Sequence, residues 1–166
     1  MKNAPVATKG LLLKELSRRA YSKHGDNTIE RIVLEHGVPF TGIDRPKGMR
    51  LRKAQYCFRN SFYAASEQPG MLYVEGFAAV ANSVVVHHGW ISPDGVHAID
   101  VTLRYPPESI EFFGVAFTVG TATSELLQTN QLMPLFNSWK PGSRLLVLAE
   151  KAAKSPAPTG PGVSGP

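Results

Sequence analysis

The stretch QYCFRNSFYAASEQPG (residues 55–70), followed by MLYVEGFAAV (71–80) and NSVVVHHGWISPDGVHAIDVTL (82–103), decides how this chain folds. In the first segment Cys57, Phe58, Ser61, Phe62 and Ala65 recur at spacings of three and four, which marks one helix face, and Pro69 and Gly70 stop the helix. Cys57 stands in its first turn. The next two segments are rich in β-branched and aromatic residues. Within them Ser92-Pro93-Asp94-Gly95 reads as a turn between two strand-like runs, which predicts an antiparallel hairpin. A cysteine-bearing helix packed on an antiparallel sheet is an α+β arrangement.

Outward from this centre the pattern is less regular. In LLLKELSRRAYSK (11–23), Leu12, Leu13, Leu16 and Ala20 share a helix face, with Gly25 and Asp26 as the stop. The segment VPFTGIDRPKG (38–48), punctuated by Pro39, Gly42, Pro46 and Gly48, reads as a loop leading to the cysteine. IEFFGVAFTV (110–119) reads as a further strand, and TSELLQTNQLMPLFNSW (123–139) as helical up to Pro134. The expected organisation is a single α+β domain over residues 1–151 and a disordered Pro/Gly/Ser-rich tail over 152–166.

The chain has 166 residues, enough to bury a core without staples, and a single cysteine, so no intramolecular disulfide supports it. It contains no apolar run long enough to span a membrane, and its first residues, MKNAPVATKG, lack a secretory signal pattern. These features lead us to expect a soluble cytoplasmic protein with a free thiol and no membrane partner. The formal charge is +5, with much of the excess before the cysteine at Lys14, Arg18, Arg19, Lys23, Arg45, Lys47, Arg50, Arg52 and Lys53. Such a cluster leaves room for nucleic acid or another anionic partner; its plainer reading is a solvated basic face, since no nucleic-acid motif accompanies it.

Thiol chemistry needs a thiolate, and the first turn of a helix favours one because its N–H groups are unpaired and the macrodipole is positive there. The thiolate needs a base, usually an imidazole, and the imidazole needs a third group to fix its tautomer. His88 and Asp100 can fill these roles, since counting back from the SPDG turn, Trp90 and Ile91 oppose His97 and Ala98 and bring the two onto adjacent strands. Taken singly, each of these residues has an ordinary reading, a small buried thiol or a solvent-facing ring. The ordered trio favours catalysis.

The series C-F-R-N-S, Y-V-E-G-F, H-H-G-W, D-G, I-D-V-T and F-F-G-V-A-F resembles the Cys-His-Asp core of papain-like and transglutaminase-like proteins, over about Gln55 to Phe117. The resemblance implies Cys57 as nucleophile, His88, two before Trp90, as base, and Asp100, two before Thr102, as orienter. Val101 stands where the family has proline, and the transglutaminase G-x-C-W signature is absent. Amidase, peptidase, deamidase and acyltransferase chemistry all fit these parts, with a protein or a small amide or acyl compound as substrate and no cofactor.

Acyl transfer also needs donors for the developing oxyanion, and Gln55 is the local candidate beside the backbone N–H of Cys57. Asn60, one turn later, could contact substrate or hold the loop. Glu75 interrupts an apolar strand, which suggests either a substrate contact or the outward half of an alternating strand. Trp90 suits a pocket wall or the core.

Two rivals stand beside this reading. Cys57, His87, His88, His97 and Asp100 are ligand types that zinc accepts, but neighbouring His87 and His88 point to opposite faces of a strand, and no paired-ligand motif is present. The alternative to an enzyme is a non-catalytic binding or inhibitor protein on the same fold, using a basic nucleic-acid- or protein-binding face.

Overall fold

A computed structural model describes residues 10–22, 28–80, 84–130 and 133–138. The architecture is mixed α+β. Helix α1 (Leu11–Ala20) buries Leu12, Leu16 and Ala20, and α2 (Thr28–His36) buries Ile32 and Val33. After strand β1 (Val38–Gly42) comes α3 (Cys57–Ser66), then strands β2 (Leu72–Val80) and β3 (Val84–Ser92), the two-residue β4 (His97–Ala98), β5 (Ile110–Thr118) and helix α4 (Val119–Thr129).

The five strands lie in the order β3-β2-β5-β1-β4. β2 pairs antiparallel along its whole length with β3 on one side and β5 on the other. The sheet curls until its two edges meet. Ile99, one residue beyond β4, forms an antiparallel bridge with Ile91 of β3 through two backbone hydrogen bonds of 2.9 and 3.2 Å.

Strand alternation divides the apolar side chains between two cores. Inside the curl, Phe40, Val74, Ala78, Trp90, Ala98, Ile110 and Phe112 pack together. On the other face Tyr73, Phe77, Ile91, Phe113, Val115 and Phe117 meet Leu12, Leu16, Val33, Ala64, Ala65 and Ala122 of the four helices. Trp90 fills the curl because position 114 is glycine: a Cβ there would lie 2.6 Å from the indole.

Several expectations need correction. The principal hairpin is β2–β3; the run after the SPDG turn does not zip back along β3 but contributes β4, which pairs parallel with β1. The bridge Ile91↔Ile99 also sets the register two residues further on than the turn count suggested. The turn itself forms as read: Asp94 Oδ1 accepts from Val96 N and His97 N, and Gly95 takes φ 78°.

Residues 38–42 are a strand, not a loop. Thr41 N and Ile43 N bond to Val96 O and Ala98 O, so the same side of Pro39 faces a position where β4 has not yet begun, and its missing N–H leaves no ladder bond broken. α2 follows the same spacing rule through Ile29, Ile32 and Val33. α1 ends at Ala20 and its Leu13 is exposed. Lys23, Gly25, Asp26 and the 152–166 tail lie outside the described residues.

Candidate active site

The site begins at the first residue of α3. Residue 89 is glycine, and a Cβ there would come 3.1 Å from Phe58 Cα, so the helix start can close directly on β3. One turn on, Ser61 is buried and its hydroxyl donates to Gly89 O at 2.8 Å. Asn60 fixes the approach: its Nδ2 donates to Lys53 O at 2.7 Å and, at 3.3 Å, to Thr102 Oγ1. Asn60 therefore holds the loop before Cys57 to the segment after Asp100. Of its two expected roles, the structure supports the loop.

Between Lys53 and Cys57 the backbone turns sharply. Gln55 has φ 74°, a left-handed conformation that costs a non-glycine residue roughly 1 kcal/mol. Its side chain is exposed two residues before the thiol and makes no hydrogen bond to another described residue. Tyr56 precedes the helix without a side-chain cap, and the first turn carries no acid, so its N–H dipoles act on Cys57 itself without a competing side-chain acceptor.

His88 lies on the inner face of β3, 2 % exposed, with Nε2 2.7 Å from Asp100 Oδ2. Cys57 is close enough to His88 for the two groups to shift each other's charge state. Asp100 is held in turn: its Oδ1 accepts from Thr102 N at 2.7 Å and Leu103 N at 2.9 Å, and Arg45 donates to its carbonyl at 3.1 Å. The indole of Trp90 stacks near the imidazole, with ring centroids 6.3 Å apart. Trp90 is fully buried; it backs His88 and offers no surface to a substrate.

These contacts set the charge states. Burial works to raise the Cys57 thiol, but the hydrogen bond and charge of His88, with backbone hydrogen bonds from Gly89 and Phe58, outweigh it and bring the thiol below its ordinary value. Burial likewise opposes a charged imidazole. Hydrogen bonds and charge from Asp100 and Cys57 outweigh that too, and His88 is raised to about 9. Asp100 is pushed up by burial and, more strongly, down by His88 and the two N–H groups, so its carboxyl falls below the usual range. The arrangement favours a thiolate–imidazolium pair beside a carboxylate.

Glu75 is neither a substrate contact nor an outward strand residue. It is fully buried under the helices, where it accepts from Tyr73 Oη at 2.9 Å, Leu135 N at 2.7 Å and Phe136 N at 3.1 Å. A buried carboxylate needs such partners, and here they tie the 135–138 turn to β2. His87 points to this same face, 3.2 Å from Glu75 Oε1, with its ring against Phe58 and Phe77. His97 is bound to Asp94 in the SPDG turn, 2.5 Å away. Among the described residues no three His, Cys, Asp or Glu side chains converge as metal ligands.

Beside Asp100, on the side of Arg45, a cavity of about 460 Å³ opens between Ile43, Leu51, Arg104, Tyr105 and Pro106. Beyond Asp100 and Arg45 its lining carries no signal in the sequence, because the cavity forms only where the 43–51 and 104–107 segments meet. Among the described residues no helix is long and apolar enough to cross a membrane. Searches against protein-family models, curated proteins and solved structures find no match for this chain.

Proposed function

We propose that this protein is a cysteine-dependent hydrolase or acyltransferase acting on an amide or acyl substrate, on a fold of the papain-like or transglutaminase-like kind. The observation that carries the proposal is the 2.7 Å hydrogen bond between buried His88 and Asp100, beside Cys57 at a helix start, whose thiol His88 lowers. The reading is supported by a helix that carries the cysteine in its first turn and lies against the sheet whose strand β3 carries His88. A free, activated thiol suits a reducing compartment such as the cytoplasm.

In the proposed cycle the Cys57 thiolate attacks the substrate carbonyl carbon, and the oxyanion forms against the Cys57 N–H, with the Gln55 amide as second donor. His88, as imidazolium, gives its proton to the leaving amine or alkoxide as the carbon–heteroatom bond breaks, leaving a thioester on Cys57. Neutral His88 then takes a proton from water or another acceptor, which attacks the thioester and restores the thiol. Asp100 keeps the ring in the tautomer that faces the sulfur.

The test is alkylation of Cys57 by iodoacetamide as a function of pH in the wild type and in His88→Ala. The expected wild-type profile shows fast alkylation well below the ordinary thiol range, lost in the variant. A wild-type profile that follows a free thiol of pKa about 8.5, unchanged by the substitution, overturns the proposal. Salt-sensitive nucleic-acid binding together with such an ordinary thiol would instead support the binding-protein reading.

A further inference from the structure

Beside Cys57 the surface carries two cations gathered on one aromatic ring. Tyr56, the residue before the nucleophile, is 42 % exposed; the guanidinium carbon of Arg59 lies 4.7 Å from its ring centroid and Lys53 Nζ 5.5 Å from it. Both cations are exposed, and neither forms an ion pair with a described residue. Arg52, close by in sequence, is paired with Glu67. The acids of this part of the fold are committed inward: Asp100 to His88, and Glu75 to Leu135 and Phe136. The start of the cysteine-bearing helix thus carries two cations on the Tyr56 ring that have no ion-pair partner among the described residues.

We propose that Lys53 and Arg59 are specificity-determining residues that make Cys57 prefer substrates carrying a carboxylate or other anionic group near the reacting carbonyl. The proposal rests on the thiol-enzyme reading above. An exposed ring holds two long, flexible side chains at modest cost, so the positive field stays at the mouth of the site instead of dispersing into solvent. Anionic substrates are drawn in and oriented by that field, and the preference weakens with ionic strength because the cations are solvated. Arg59 already stacks on Tyr56, so the ring is engaged by charge and not free as a platform for a nucleobase.

The experiment compares alkylation of Cys57 by iodoacetate, an anion, with alkylation by neutral iodoacetamide, in the wild type, in Lys53→Gln/Arg59→Gln, and in Lys14→Gln/Arg18→Gln, which removes equal charge from α1. The thiolate and His88 are the same in all three, so the ratio of the two rates reads the local field. At about 10 mM salt the ratio should fall roughly three- to fivefold in the Lys53/Arg59 variant, as expected for two charges within a Debye length. It should stay near the wild-type value in the α1 variant and converge across all three at about 0.5 M salt.

An unchanged ratio in the Lys53/Arg59 variant, with iodoacetamide still fast, overturns the anion preference and leaves the thiol enzyme standing. Slow iodoacetamide in the wild type overturns both. Protection of Cys57 by oligothymidylate at micromolar concentration overturns the proposal in favour of a nucleic-acid site.

Discussion

Two neighbouring histidines on β3 face opposite sides of the sheet, and each meets a carboxylate, yet the pairs are built for different ends. Asp100 gives one oxygen to the N–H groups of its own loop and leaves the other 2.7 Å from His88. Glu75 has both oxygens occupied by N–H groups of the 135–138 turn and by Tyr73 Oη. His87, 3.2 Å away, gains no aligned bond, and its Nε2 is buried without a hydrogen-bond partner. A carboxylate oxygen aligned with a ring N–H can orient the ring; Glu75 Oε1, which takes one N–H from Phe136, lies off the line of His87 and holds structure instead. Alternation along the strand sorts the two tasks between faces.

The comparison breaks most sharply if the working pair is removed. On the proposed mechanism His88→Ala should lower turnover of any acyl substrate by roughly 10²- to 10⁴-fold, measured by steady-state kinetics on the fraction that a denaturant melt shows to be folded, since the loss of its pairing with Asp100 also costs stability. His87→Ala should keep turnover within a few-fold; equal losses in the two variants would erase the distinction. Glu75→Ala should cost roughly 3–5 kcal/mol of stability in urea, since it strands two buried N–H groups and a hydroxyl. A loss under about 1 kcal/mol would mean that the turn is not held this way.

The pH dependence sharpens the same contrast. His88 is raised from its unfolded value of about 6.5 to about 9, so its contribution is fully present below about pH 6.5 and disappears as pH rises towards 9. That shift corresponds to something on the order of 3 kcal/mol. The depressed Asp100 carboxyl contributes above its unfolded value of about 3.9, and that contribution is lost as pH falls through its lower folded value. The lowered Cys57 thiol acts in the opposite sense over part of this range, so the melts are run from about pH 6 to 9.5 in Cys57→Ala, where the decline should be present, and in Cys57→Ala/His88→Gln, where it should be absent.

Smaller effects belong to the contacts that bring α3 to β3. Gly89→Ala forces the Phe58 backbone away from the strand and should cost roughly 1–3 kcal/mol while slowing iodoacetamide at pH 6. Asn60→Ala frees Lys53 O and should cost about 1 kcal/mol, with a milder slowing of the same reaction.

The sequence made legible whatever depends on local pattern. The spacing of Phe58, Ser61, Phe62 and Ala65 revealed α3, and the order of Cys57, His88 and Asp100 picked out three side chains that the structure gathers in one place. A turn count to Asp100 assumes that strands continue pairing past the turn, whereas here β4 pairs with β1 and the chain touches β3 only at the bridge that follows, Ile91↔Ile99. Pro39 hid β1, since its tolerance depends on a neighbour strand that starts two residues later. Glu75 was unreadable for a related reason: its N–H partners lie sixty and sixty-one positions away.

The bridge between Ile91 and Ile99 has a mechanical meaning. β3 is stitched to β2 by a nine-residue ladder but to the Asp100 side by one rung, so tension across the curl concentrates there. His88 stands three residues before that rung on one lip, and Asp100 one residue after it on the other. The hydrogen bond between base and orienter therefore spans the joint of the curl that has the fewest rungs, and opening of that joint separates them.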